Sequence, residues 1–393
     1  MASVGLVDTG AGARLDLRYG GLVVRVESED AGHLEWLRDF LAPSFEAARD
    51  GCPAWTVRLV TDPAAYADAL RRGPVADGET VACFWLDSGI LRLPRWTAPG
   101  PDRVVFDRDR GGFCTLGPGG NIELLASGES LAVRDLLMRV VRELAMAHAW
   151  REGALVLHAA AAAVGERVVA IAGPKGAGKT TLLVHLLRTP GVRFVANDRV
   201  VIPGGEPPPT VRGLPTIVKL LDDSAAWFPG LPTRLEAARF RHRLTLREGR
   251  RRPERHGPER PRLPWTLSPA QLCAVLAVQA TPGGRLAAIV FPRIDGHPGP
   301  AVLRRLPAAD AAAAIAAGQL GPFRDAPPGA GGPEWPWDPS PDTVLPSALP
   351  ARAEARCREL AATVPALECA LGPEAYEDAS LTARILAMAG GRA

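Results

Sequence analysis

The stretch Gly173-Pro-Lys-Gly-Ala-Gly-Lys179-Thr180 restricts what this chain can fold into more than any other part of it. It fits the spacing G-x-x-x-x-G-K-[ST]. An apolar run, Val168-Val-Ala-Ile-Ala172, comes before it, and Thr181-Leu-Leu-Val-His-Leu-Leu187 follows. That order predicts a strand, a glycine-rich turn and a helix, the context in which such a loop cradles phosphate. Backbone N–H groups of the loop would face phosphate oxygens, and the helix N-terminus adds positive partial charge. The candidate nucleotide-binding residues are therefore Gly173, Pro174, Lys175, Gly176, Ala177, Gly178, Lys179, Thr180 and Thr181. Lys179 would reach the β- and γ-phosphates of ATP, and the Thr180 hydroxyl would ligate Mg²⁺. Thr181 has two readings, a second helical residue or a further phosphate contact. Lys175 has two as well, a solvated side chain or a phosphate contact. Composition sharpens the motif. Only Lys175, Lys179 and Lys219 are lysines among 46 Lys+Arg, yet the motif position keeps Lys. A compact ammonium fits between phosphates where a planar guanidinium does not.

At 393 residues the chain has room for two or three domains. A hydrophobic fraction of 47% and a charged fraction of 23% describe a soluble globular protein. A net charge of +3 gives no electrostatic case for nucleic acid or membrane as partner. Residues 1–14 lack a basic n-region and a long apolar run, so no signal peptide is expected and a cytoplasmic location is. Ala308–Ala317 is too short to span a bilayer and contains Asp310. The six cysteines, at positions 52, 83, 114, 273, 357 and 369, show no metal-ligand spacing, so no structural zinc is expected.

Residues 1–145 read as an α+β domain, a candidate substrate-recognition region. Strands are predicted at Gly21–Val26, Thr56–Val60, Val81–Trp85 and Arg103–Phe106. A helix is predicted over Leu34–Phe45 and a longer one over Leu131–Glu152, with Leu136, Leu137, Val140, Val141 and Leu144 at helical spacing. Residues 146–320 form the domain that carries the loop, with strands at Ala154–His158 and Gly191–Ala196 and a further one at Leu286–Phe291. Arg247–Arg262 has seven Arg against three Glu among prolines. It is expected to be a mobile surface loop, or else a basic lid for an acidic ligand. Residues 321–393 read as a Pro/Gly-rich linker containing Trp335 and Trp337, then a terminal helix over Arg352–Leu371 interrupted by Pro365.

His158, a short apolar run, the loop with its helix, and Phe194-Val-Ala-Asn-Asp198-Arg-Val come in that order. Val211-Arg212-Gly213-Leu214-Pro-Thr-Ile217 follows downstream. Over about residues 155–220 this series resembles the HPr kinase/phosphorylase family and its relatives in bacterial peptide-modification gene clusters. The resemblance implies an α/β fold: a P-loop kinase core of the HPr kinase type behind an N-terminal α+β domain. It implies ATP-dependent phosphoryl transfer with Mg²⁺ to a Ser/Thr hydroxyl of a peptide or carrier protein, and homo-oligomerisation is a further possibility. Carried over by position, Asp198 is the candidate base or Mg²⁺ ligand, His158 its partner, and Arg212 and Lys179 the stabilisers of transferring charge. The family has two aspartates at the strand end. This chain has Asn197 at the first and Asp198 at the second, and Asn cannot accept a proton. The family's Glu before the I-R-G motif is replaced by Thr210.

The residues alone point the same way. Phosphoryl transfer needs positioning, a metal and one group to take the acceptor's proton. His158 is expected at the end of a strand beside the loop strand, where sheet termini collect active-site groups. The plainer alternatives are a core histidine at 158, a turn residue at 198 and an ion-paired surface arginine at 212. Rival functions are a small-molecule kinase of the same fold, a P-loop ATPase, and a nucleotide-binding protein without turnover. An N-K-x-D motif, which a GTPase would need, does not occur.

Overall fold

Period-two alternation governs the first part of the chain, and the computed structural model shows it as strands facing a helical layer. Described are residues 6–10, 12–49, 51–72, 79–84, 90–97, 103–107, 111–128, 130–205, 207–239, 265–295, 299–320 and 348–390. The Arg247–Arg262 segment and the linker with Trp335 and Trp337 lie outside the described residues. The chain divides into two compact units, one reaching Arg151 and one built from residues after it. The architecture is mixed α/β, with parallel and antiparallel pairings in both large sheets.

The first unit contains β1 (Leu6–Asp8), β2 (Ala13–Tyr19), β3 (Leu22–Ser28), α1 (Ala31–Leu41), β4 (Glu46–Ala47), β5 (Trp55–Thr61) and α2 (Pro63–Arg72). It continues with β6 (Glu79–Phe84), β7 (Ile90–Thr97), β8 (Arg103–Asp107), β9 (Gly112–Leu116), β10 (Asn121–Ala126) and α3 (Ser130–Arg151). The sheet runs β1-β2-β3-β5-β10-β9-β8-β7-β6, with β4 on β2. In β2, Ala13, Leu15, Leu17 and Tyr19 are buried and the residues between them half-buried. Across the β2–β3 hairpin, the Arg25 guanidinium donates to both Asp16 carboxylate oxygens at 2.9 and 3.0 Å. The helix predicted to run to Phe45 stops at Leu41, because Ala42 precedes Pro43 and takes an extended conformation. Leu136, Leu137, Val140, Val141 and Leu144 of α3 are all fully buried.

The second unit contains β11 (Leu155–Val164), β12 (Arg167–Ala172), α4 (Lys179–Leu187), β13 (Val192–Ala196), β14 (Arg199–Ile202), β15 (Thr210–Leu214), β16 (Val218–Leu220), α5 (Asp222–Ala226) and α6 (Leu231–Arg239). Then come β17 (Trp265–Leu267), α7 (Pro269–Leu276), β18 (Gly283–Ile294), β19 (Val302–Arg305), α8 (Ala308–Ala317), α9 (Leu349–Thr363), β20 (Ala366–Leu371) and α10 (Leu381–Met388). β12 pairs antiparallel with β11 on one edge and parallel with β18 on the other. The path β12-β11-β14-β15-β18 therefore returns to β12 and closes a ring of five strands, and β20 and β19 extend it from β18. One face of β11 packs Leu155, Leu157 and Ala159 with α8 and α9 residues such as Ile315 and Leu360. The other packs Ala160 and Ala162 with α4 residues such as Leu183 and Leu186.

The C-terminal region and the strand of His158 differ from what the sequence predicts. Arg352–Leu371 is not one interrupted helix. α9 ends at Thr363, and β20 pairs parallel with β18 beyond Pro365. Proline lacks the N–H that would continue the helix, and Ala-Leu-Glu-Cys-Ala-Leu buries all but Glu368 in the sheet. His158 is not at a strand end but is the fourth residue of the ten-residue β11. The alanines that follow it, Ala159–Ala163, are fully buried between two helical layers, a setting that overrides alanine's preference for helix.

Candidate phosphate-binding site

The loop joins β12 to α4 as its glycines require. Gly173, Gly176 and Gly178 have φ of 144°, 80° and 101°, a region that side chains disfavour. Gly178 caps α4 in the left-handed conformation with no side-chain hydrogen bond, and its carbonyl accepts the first helical bond, from Leu182 N at 2.8 Å. The first-turn N–H groups of a helix have no partner inside it, so those of α4 open onto the loop. Lys179 is buried, 8% exposed, and its Nζ donates to the Gly173 and Pro174 carbonyls at 2.7 and 3.0 Å. The ammonium is held within the turn it closes. Thr180 is half-buried, Thr181 is buried in the α4 core, and Lys175 is exposed.

Ala172 lies opposite Ala159 as the last pair of the β11–β12 ladder, so the loop leaves the sheet beside His158, where Gly318 takes over that edge of β11. On the other edge of β11, His158 is paired with Arg199. β13 and β14 both run along this edge and are broken only at Asn197-Asp198. The break turns Asp198 toward His158, whose Nε2 is 3.0 Å from Asp198 Oδ1. The Asp198 Oδ2 is 3.4 Å from Arg199 Nε. His158 is largely buried, its N–H donating to the Gly318 carbonyl at 2.8 Å, while the Asp198 side chain is 36% exposed. A buried imidazole and guanidinium thus orient a carboxylate that solvent, or a hydroxyl, can still reach.

Asn197 is 7% exposed, and its Nδ2 donates to Thr216 Oγ1 at 2.9 Å and to the Ile217 carbonyl at 3.2 Å. The amide therefore ties the strand break to the segment after β15. Arg212 is exposed on β15. His158, Arg199 and Leu214 are successive cross-strand partners, and Arg212 is two residues from Leu214. Strand alternation puts Arg212 on the His158 face, one row further along.

The loop, His158 and Asp198 are thus brought to neighbouring positions, with Arg212 on the same face. Arg199 and the Asn197–Thr216 contact were not anticipated. The Asp198-Arg199 dipeptide at a strand start is the one sequence signal for the former. Nothing in the sequence marks Thr216 as the partner of Asn197. Among the described residues no cluster of three His, Cys, Asp or Glu could hold a metal. A Thr hydroxyl with one carboxylate fits Mg²⁺, which takes its other ligands from substrate phosphates and water. No helix among the described residues is long and apolar enough to cross a membrane. No protein-family model matches the chain, and no curated protein matches its sequence.

Proposed function

We propose that this chain is an ATP-dependent phosphotransferase, moving the γ-phosphoryl group of ATP to a Ser/Thr hydroxyl of a peptide or protein. The observation that carries the reading is the 3.0 Å His158–Asp198 contact, on the strand whose next residue, Ala159, pairs with Ala172, the last residue before a complete phosphate loop. Either half alone is common, and together they supply a phosphate cradle and an oriented proton acceptor. The resemblance to the HPr kinase/phosphorylase family over residues 155–220 favours the same reading, with a P-loop kinase core.

Asp198 takes the proton of the acceptor hydroxyl as its oxygen attacks the γ-phosphorus, and the bond to the bridging oxygen of ADP breaks. His158 and Arg199 keep the carboxylate in place. Lys179, and Arg212 from β15, offset charge on the transferring group. Mg²⁺, held by the Thr180 hydroxyl together with the phosphates, would supply positive charge against the transferring group. The test is labelled ATP offered with serine- and threonine-bearing peptides. Asp198→Asn is expected to lose on the order of 10²–10⁴-fold in transfer, the usual contribution of a general base, with ATP affinity within about threefold. A variant that keeps its turnover refutes the base. One that loses affinity in parallel with rate makes Asp198 chiefly a metal ligand.

A second reading, a nucleotide-binding protein without turnover, is favoured by Asn197. Its amide is committed to Thr216 and Ile217 at the position where the resembling family has its first aspartate. Nucleotide binding with neither transfer nor hydrolysis would select it, and release of free phosphate alone would select an ATPase.

A further inference from the structure

One exposed apolar side chain lies directly against the phosphate loop. Ile294, the last residue of β18, is 50% exposed. A Cβ on Gly178 would stand 3.0 Å from its Cγ1 and 3.2 Å from its Cδ1. Pro292 is on the same face by alternation, and its Cδ is 4.0 Å from the corresponding position on Gly173. Leu371, paired with Ile294 at the end of β20, is buried and also approaches Gly178, at 3.6 Å. Arg293 belongs to the opposite face and is engaged by Asp295 at 2.8 Å and Glu368 at 3.5 Å.

β12 and β20 both run parallel to β18; β18 and β20 end together at Ile294 and Leu371, a few residues beyond the level at which β12 ends at Ala172 and the loop begins. Parallel sheets take their ligands in the crevice outside such carboxyl ends. The two neighbours of β12 differ in chemistry. β11 carries His158 and leads to Asp198, whereas β18 carries Ile294. With its terminal phosphoryl group facing Asp198, a triphosphate would run along the loop away from β11, and its nucleoside would emerge on the β18 side. Covering a half-exposed isoleucine with a flat aromatic base removes apolar surface of both from water.

We propose that Ile294, backed by Pro292 and Leu371, is the platform on which the base of the loop-bound nucleotide rests. This depends on the reading of residues 173–180 as an ATP site. The contact is apolar and adds nothing for a ligand that has phosphates but no base. The full-length protein is titrated calorimetrically with Mg·ATP and with magnesium tripolyphosphate. Ile294→Ala is expected to weaken ATP about 5–10-fold and to leave tripolyphosphate unchanged. Ile294→Phe, which restores a broad apolar face, is expected to return ATP affinity to the wild-type value or better. Unchanged ATP affinity in Ile294→Ala overturns the platform. So does an equal loss for both ligands, because Ile294 would then act only by shaping Gly178. Failure of the loop reading is distinct: wild-type protein would bind neither ligand, and the platform would fall with it.

Discussion

Replacing Asn197 with aspartate restores the residue that the resembling family has at this position, and the structure predicts that the change is harmful. Asn197 donates two hydrogen bonds, to the Thr216 hydroxyl and to the Ile217 carbonyl, from a site 7% exposed. An ionised carboxylate can donate neither. It would face a carbonyl oxygen and add a second negative charge next to Asp198. Each lost bond is worth about 0.5–1.5 kcal/mol, and a carbonyl left without its donor adds about 1–3. The expected net destabilisation at neutral pH is about 2–6 kcal/mol. Its pH dependence has a definite sign. Burial and a neighbouring carboxylate raise the folded-state pKa of the new group above its unfolded value, so the folded state holds more protons between the two. Stability then falls as pH rises through that window. Urea denaturation of Asn197→Asp against wild type should show a larger deficit at about pH 8 than at about pH 5. An Asn197→Asp protein as stable as wild type at both values would refute the tether. Faster phosphoryl transfer in that protein would in addition show that position 197 is a damaged base.

Lys179→Ala should cost roughly 1.5–3 kcal/mol of phosphate affinity, and equal ATP binding by calorimetry in mutant and wild type would sink the loop assignment. Gly178→Ala should cost about 1–2 kcal/mol for its left-handed backbone and should displace Ile294, 3.0 Å from the added carbon; thermal melting and ATP titration together check it. His185 of α4 lies with its Nε2 3.1 Å from the Asp378 carbonyl, and acidification should loosen the C-terminal segment at this contact. Burial lowers the His185 pKa below 6.5, so the unfolded chain gains a proton that the folded one refuses, and stability falls as pH drops through 6.5. Burial pushes the Asp378 carboxyl up, but hydrogen bonds from Ser380 and the Arg384 charge outweigh it and hold it below 3.8, so its contribution is lost only at lower pH. His185→Gln should flatten the stability profile between about pH 7 and pH 5, and an unchanged slope in urea denaturation would count against it.

What the sequence made legible was what is locally written. The loop is announced by its own glycines, lysine and flanking periodicity, and α3 by Leu136, Leu137, Val140, Val141 and Leu144. β2 is written as plainly in the alternation of Ala-Arg-Leu-Asp-Leu-Arg-Tyr, although its charged residues make it a weaker signal than its hairpin partner β3. His158 was found, but its place inside a strand was hidden, because five consecutive alanines carry no period of two. β20 was hidden because Leu-Glu-Cys-Ala-Leu after a helix reads as more helix until a parallel partner is known. The Asn197–Thr216 tether and the Gly178–Ile294 contact join segments far apart in sequence, and no residue pattern encodes such a meeting.

The ring of five strands also sets an order of events for the growing chain. β11, β12, β13 and β14 follow one another closely and can pair as they appear. The last closure joins Arg167 to Arg285, long after the loop has been synthesised. Until β18 arrives, β12 has a bare edge of unpaired N–H and C=O groups made of Val, Ala and Ile, the kind of edge on which unfinished chains pair with one another. The late strand that would carry the base platform is thus also the one that ends the exposure of that edge, so substitutions that weaken β18 should appear first as poor recovery of soluble protein from synthesis.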